Sequence, residues 1–562
     1  MQLSNVPSRV KRRVERVLAR PTHHPKAPPR LPGAMPVIGH MIEFGKHPFE
    51  FLKHARAEGG EVVEFNLLGQ DVVLMTGPAA NEAFFRAPDD VLDRREAYRL
   101  MTPIFGEGVV FDAPGTKLNQ QMRMVMQLLR DEPMRTYPPV IESEVDAMIA
   151  GWGDSGEIDL LDFMKELTIY TSTHCLVGPE FRRDMTSRFA ELYGHLEKAV
   201  NPIAYVYPYL PIPTFRRRDA ARVELVEMIG GMVDKRRGLA EKPDDGLTTL
   251  LDARYEDGGR LTPHEITGML TAMMMAGHHT SAGTAAWAIL ELSRRPELLR
   301  RVRAEQQAIF GADGEISYQG LRRARFLRDV LKEVLRLHPP LIFLFRKALK
   351  DFEYGGYTIE AGKFVCASPA ISHRLSDVFT QPEVFDPDRY APGREEDKRP
   401  FAWISFGGGK HKCTGNAFGM LQLSTIVALM LRHFDFELIQ GEHGYRDDYT
   451  KATVQPAEPC RVRYARRDPL ADQRLPAEDA LREDESSVLD ASVKLRVRID
   501  RGLCQGHAVC LSESPEIFRI AEDGEGEVVL AEPDSALYPA LSRAYEFCPN
   551  HAIVLSLLEE EE

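Results

Sequence analysis

Disulfide spacing, a dinucleotide-binding glycine fingerprint and surplus positive charge are all missing from this chain. Its seven cysteines fall at irregular intervals over 562 residues. The first residues hold no apolar core of the kind a secretory leader needs. A reducing compartment and metal ligation are therefore expected rather than a disulfide framework. No G-x-G-x-x-G follows a strand and no flavin-binding pattern occurs, so the chain is not expected to take electrons from NAD(P)H directly. The net charge of −13 makes nucleic acid an unsuitable partner. Long apolar runs are scarce too. Gly268 to Leu292 is mostly apolar, but it carries His278, His279, Thr280 and Ser281 at its centre. Those groups are costly in lipid, so the segment reads as a buried helix of a large soluble domain.

What is present divides the chain. A length of 562 residues exceeds one ordinary domain. Residues 1–30 form a basic tail, with Arg9, Lys11, Arg12, Arg13, Arg16 and Arg20. Residues 1–20 are a candidate membrane-surface contact, with a solvated tail as the plainer reading. A main domain is expected over 31–464. It contains a strand pair across Leu67-Leu68-Gly69-Gln70, then a mainly helical stretch from about Asn81 to Leu337. Thr262-Pro263-His264-Glu265 is a capping box with proline at the first helical position, and it should open a helix running to about Arg295. Residues 465–491 are charged and proline-containing, the signature of a flexible linker. Residues 492–562 form a separate acidic module: from Val493 onward it has 14 acidic against 6 basic residues.

Cys413 stands in Phe406-Gly407-Gly408-Gly409-Lys410-His411-Lys412-Cys413-Thr414-Gly415. The glycines let the backbone approach a flat group closely. An apolar helix, about Asn416 to Phe434, follows and aims free N–H groups at the sulfur, which favours thiolate. Glu333 and Arg336 lie three apart on one helix face among leucines, and Arg389 is the candidate partner for a buried pair.

This pattern, F-x-x-G-x-H-x-C-x-G, resembles the haem-binding loop of the cytochrome P450 family. Ala276-Gly277-His278-His279-Thr280, the segment Tyr98 to Asp112, Leu160 to Ser172 and Leu337-His338-Pro339-Pro340-Leu341 are similar to its sterol 14α-demethylase branch. The resemblance implies a mainly α fold with small β-sheets (the cytochrome P450 fold). It implies haem b with Cys413 as axial thiolate, and Tyr98, Lys117, Arg346 and His411 as haem-binding residues. His279 and Thr280 are then catalytic, His279 standing where a proton-feeding acid is usual. Tyr98, Leu100, Phe105, Ala276, His279 and Leu341 are candidate sterol-lining residues, with ordinary core as the alternative. Glu333, Arg336 and Arg389 are expected to be structural. The reaction implied is removal of the 14α-methyl group of a lanosterol-like sterol by three O₂-dependent oxidations, with release of formate.

Cys504-x₂-His507-x₂-Cys510, followed by Cys548-Pro549, resembles the cluster motif of bacterial ferredoxins with histidine in place of the middle cysteine. A small α+β ferredoxin-like domain in a bacterial cytoplasmic protein is implied. Three thiolates suit a 3Fe–4S cluster. A 4Fe–4S cluster with His507 as fourth ligand and zinc on Cys₃His remain alternatives. The acidic module is expected to dock near Lys410, Lys412, Lys398 and Arg399, and a separate NAD(P)H-dependent ferredoxin reductase is implied. Two other functions stay open: a P450 hydroxylase of another terpenoid or a fatty acid, and a non-catalytic haem or iron–sulfur sensor.

Overall fold

The computed structural model describes residues 26–184, 187–201, 203–204, 207–311, 314–441, 444–467, 489 and 492–558. The basic tail through residue 25 and most of the expected linker 465–491 lie outside the described residues; Ala465 and Arg466, expected to begin that linker, instead end a strand of the large body because they pair with its neighbours.

β-branched and apolar residues on either side of Leu67-Leu68-Gly69-Gln70 produce the expected hairpin. Val62–Leu67 pairs antiparallel with Gln70–Met75. The second strand then pairs in parallel with Phe364–Ala367, which runs antiparallel to Leu344–Ala348. Leu92–Asp93 completes this five-stranded sheet. The strand that ends the large body, Arg461–Arg466, lies between Ser155–Asp159 and Phe434–Leu438.

The rest of the large body is helical and is organised by one helix, Pro263–Ser293. Its start is the capping box read from the sequence. Thr262 Oγ1 accepts the Glu265 N–H at 3.3 Å, and Glu265 Oε2 accepts the Thr262 N–H at 2.8 Å. At about 1.5 Å per residue it spans roughly 46 Å. Every residue from Ser281 to Leu292 is buried, so this half runs through the core. In the middle the burial breaks: Ala276 is exposed, and Gly277, His279 and Thr280 are half-buried. A Cβ at Gly277 would stand 3.0 Å from Ser172 Oγ, so the neighbouring helix Leu160–Leu176 can approach closely there. Among the described residues no helix is long and apolar enough to cross a membrane.

Behind this core, Glu333, Arg336 and Arg389 come together with none of the three side chains exposed. Arg336 Nε donates to Glu333 Oε2 at 2.8 Å and Nη2 to Oε1 at 2.9 Å, while Arg389 Nε reaches both oxygens at 3.0 and 3.1 Å. Tyr390 donates its hydroxyl to Oε2 at 2.9 Å. The Arg336 guanidinium spends its other donors on the carbonyls of His373, Pro382 and Val384. Complete satisfaction makes such a buried ionic group tolerable.

The C-terminal body has its own core of Leu495, Val497, Ile517, Phe518, Tyr538, Leu541, Ala544 and Ile553, the mark of a separate domain. Leu495–Ile499 pairs antiparallel with Ile553–Leu557, and Phe518–Ile520 with Gly526–Val528. The helix Tyr538–Phe547 packs on them and ends at Cys548.

Candidate active site and docking face

The loop from Phe406 to Gly415 folds back on itself, the Cys413 N–H donating to the Phe406 carbonyl at 2.8 Å. A Cβ at Gly409, where φ is +62, would stand 2.4 Å from the Phe85 carbonyl oxygen. Only glycine lets the loop lie this flat on the end of the helix Pro78–Arg86. Cys413 is left exposed between the buried Gly409 and Asn416. Surrounding protein nevertheless desolvates the sulfur and pushes its thiol up. The Gly415 N–H and the Lys412 ammonium act in the opposite direction.

Beside the loop, cationic groups gather. Arg346 is 4% exposed, and its Nη1 donates to the Phe84 carbonyl at 2.9 Å. Burial pulls its guanidinium down to about 10; Asp89 opposes this and Arg94 adds to it. Burial also lowers His411, opposed by Asp89, whose Oδ1 lies 2.5 Å from His411 Nε2. Tyr98 lies near the same group: burial raises its phenol, and the Phe345 backbone, Arg346 and Arg94 oppose this. Arg94, Arg346 and His411 beside one aspartate form an anion-seeking set. The donor set therefore fits a haem: one exposed thiol, a backbone flattened by glycines, and two arginines with an imidazole for two propionates.

The open middle of the central helix carries the second group. Thr280 Oγ1 donates to the Ala276 carbonyl at 2.6 Å. His279 Nε2 lies 2.8 Å, and His278 Nδ1 3.0 Å, from the same Glu197 Oε1. The two imidazoles stack at 4.1 Å. Burial alone would raise the Glu197 carboxyl, but the hydrogen bonds from His278 and His279 outweigh it and hold it at about 2. Burial lowers His278, only partly offset by Glu197.

The other expected lining residues spread out. Phe105 is buried and stacks near Phe111, which also stacks on Tyr98 at 4.9 Å. Leu100 packs in a satellite cluster with Ala199, Ala204 and Phe215. Leu341 is exposed. Lys117 is not brought to the cationic group: its Nζ pairs with Glu265 Oε1 at 2.6 Å, at the start of the central helix. The carboxylate that completes the capping box captures it first.

In the C-terminal body, Cys504 and Cys510 flank Gly526, and Cys548 lies near both. The Gly526 N–H donates to Cys504 Sγ at 3.2 Å and the Ala552 N–H to Cys548 Sγ at 3.3 Å. A Cβ at Gly526 would lie 3.6 Å from the sulfurs of both Cys504 and Cys510. Such N–H···S bonds suit cluster thiolates. Among the described residues, Glu197, His278 and His279 form the one group of candidate ligands compact enough for a single ion. The three cysteines are more widely set, which fits a multi-iron cluster better than zinc.

This body sits against the Cys413 loop. Gln505 Nε2 donates to the carbonyls of Lys410 (3.2 Å) and Lys412 (2.8 Å), and Asn416 Nδ2 to Asn550 Oδ1 (3.1 Å). The expected acid–base match exists, but largely with other cations. Glu513 pairs with Arg322 (2.5 Å), Glu546 with Arg325 (3.1 Å) and Arg328 (3.5 Å), and Asp500 with Arg86 (3.3 Å). The Arg322 guanidinium also covers the Phe547 ring at 3.7 Å. Sequence reasoning did not pick out these arginines, nor Glu197, Arg94 or Asp89. Each reads as an ordinary surface charge until the tertiary fold supplies its partner.

A family profile described as cytochrome P450 matches residues 29–463, and one described as a 4Fe-4S single cluster domain matches residues 497–555. A sterol 14alpha-demethylase of Mycolicibacterium vanbaalenii is 47% identical over 436 residues, which cover 76% of this chain and 96% of that protein. One from Mycobacterium tuberculosis is 46% identical over 436 residues, with the same coverage of 76% and 96%. Among solved structures, a retinoic acid-bound cyanobacterial CYP120A1 superposes with a TM-score of 0.70 at 22% identity, over 79% of this chain and 100% of that one. That last likeness is one of fold.

Proposed function

This chain belongs to the cytochrome P450 family, on the branch of the sterol 14α-demethylases, and carries a C-terminal iron–sulfur domain; from this premise we propose that it removes the 14α-methyl group of a lanosterol-like sterol. Three O₂-dependent oxidations release the carbon as formate. Electrons pass from a separate NAD(P)H-dependent ferredoxin reductase to the fused cluster and on to the haem. The observation that carries this reading is the break in burial at Ala276–Thr280, in a chain close in sequence to enzymes named for the reaction.

Bound haem b supplies O₂ activation at iron, with the Cys413 thiolate favouring cleavage of the O–O bond. Arg346, Arg94, His411 and Tyr98 would hold its propionates. Ala276 presents only a methyl group and is exposed, so it would leave room for O₂ beside a bound haem. Thr280 gives its hydroxyl proton to the Ala276 carbonyl, so its lone pairs remain free to accept a hydrogen bond. His279 faces a carboxylate through Nε2, so it holds a proton at that atom. The Glu197 side chain is 21% exposed and connects this proton to solvent. Of the expected lining residues, Tyr98 and Leu341 keep surface for a flat steroid, whereas Phe105 and Leu100 are packed at 4% and 3% exposure.

Two results test this reading. In a panel of ligands, a lanosterol-like sterol should produce the spin-state shift of substrate binding. A shift with fatty acids and none with sterols would favour the hydroxylase alternative. His279→Ala should lower kcat roughly a hundredfold, the scale of a lost proton-transfer group, while sterol binding changes little. Glu197→Gln should fall between it and the parent. An unchanged kcat in His279→Ala would remove His279 from the proton route.

A further inference from the structure

Two hydrogen bonds cross between the bodies in opposite directions, and each joins neighbours of metal ligands. Lys412, which precedes Cys413, donates from Nζ to the carbonyl of Pro549, which follows Cys548; the distance is 2.7 Å. His507, between Cys504 and Cys510, places Nε2 3.2 Å from the carbonyl of Thr414, which follows Cys413. Facing a carbonyl oxygen, this nitrogen must be the protonated donor. The His507 carbonyl in turn accepts the Asp131 N–H at 3.1 Å. Both ends of His507 thus engage the large body, and the residue is only 5% exposed. The local backbone helps to present it. Gly506 and Ala508 take φ +76 and +61 on either side, and Gly506 packs so tightly on the Gly524 carbonyl that a Cβ would stand 2.0 Å from it. The contacts of the Cys504 and Cys548 sulfurs with Gly526 and Ala552 stay within the C-terminal body.

We propose that His507 and Lys412 form a reciprocal clamp that fixes the cluster loop on the haem-ligand loop. His507 is then a positioning residue for electron transfer, not a fourth ligand. This rests on the reading that the fused cluster feeds the haem. Packed, desolvated groups set orientation, and His507 is buried in the contact. The Arg86–Asp500 pair lies at its rim, with side chains 43% and 23% exposed, and contributes little. Tethering keeps the module near; the clamp decides how it lands.

The test uses the full chain carrying both cofactors, in its parent form and as H507A, H507Q and K412M. The side-chain amide introduced by H507Q can still offer an N–H at about the reach of the imidazole Nε2. Three quantities are read: the paramagnetic resonance of the oxidised cluster, the enhancement of its spin relaxation by ferric haem, and the rate of haem reduction from the cluster with carbon monoxide as trap. In H507A the resonance should be unchanged, the relaxation enhancement should weaken, and reduction should slow roughly tenfold or more, the scale of one lost buried hydrogen bond. H507Q should recover most of both losses. K412M should resemble H507A, and its change lies outside the cluster-binding body. Haem reduction by dithionite should be the same in the parent, H507A and H507Q. A changed or lost cluster signal in both His507 variants would make His507 a ligand and overturn the proposal. Unchanged relaxation and rate in H507A and K412M would also overturn it. If the parent's cluster never reduces its haem, the electron route fails, and the relaxation enhancement still decides the clamp.

Discussion

Replacing Cys413 with serine is expected to abolish the strongly red-shifted absorption of the reduced, carbon monoxide-treated protein. Turnover should fall below detection, a loss of at least roughly a thousandfold, or about 4 kcal/mol of barrier. The expectation follows from how the loop is built. The Cys413 N–H is tied to the Phe406 carbonyl, and Gly409 lies flat on Phe85. The backbone should therefore hold its shape when sulfur becomes oxygen. What changes is the donor: a serine hydroxyl stays protonated near neutral pH and gives iron far less electron density than a thiolate. Haem content in the variant separates the two roles of the site. Retention would show that Arg346, Arg94 and His411 anchor the porphyrin by its carboxylates. A variant that kept the red-shifted band would remove Cys413 from the account.

Glu333→Ala should destabilise the large body by about 3–5 kcal/mol, the scale for stranding a buried charge. Arg389 keeps a second carboxylate, Glu396 Oε2, at 2.6 Å. Arg336 keeps only the carbonyls of His373, Pro382 and Val384. Its charge would be left with no anion in direct contact, and the Tyr390 hydroxyl would lose its acceptor. These carbonyls belong to the segment between the strand Phe364–Ala367 and Arg389, so the damage should spread through the chain that leads to the Cys413 loop. Denaturant unfolding and haem retention would measure it. A variant within about 1 kcal/mol of the parent would place this group among satisfied networks that contribute little net stability.

Local chemistry was legible wherever a few adjacent residues define it. Thr262-Pro263-His264-Glu265 wrote the start of the central helix, and Leu67-Leu68-Gly69-Gln70 the first hairpin, because caps and turns are decided by near neighbours. The Cys413 loop and the cysteine spacing of the C-terminal domain were legible for the same reason. Long-range pairings were not. Glu197 lies 81 residues from His278 in sequence, and Arg322 meets Glu513 across two domains. Such side chains leave no trace in their own helices. Lys117 shows the converse: a lysine was assigned to the haem by resemblance, and the fold offers it Glu265. Lys412 did prove to lie at the domain contact, but it acts through a carbonyl rather than an acidic side chain.

The most direct measurement is turnover of the full chain with a ferredoxin reductase, NAD(P)H, O₂ and lanosterol, following formate and the demethylated sterol together. The account predicts equimolar formate and 14-demethylated product, dependent on the reductase and on the intact cluster domain. Reductant consumption with an unaltered sterol skeleton, or a hydroxylated sterol accumulating with no formate, would contradict it.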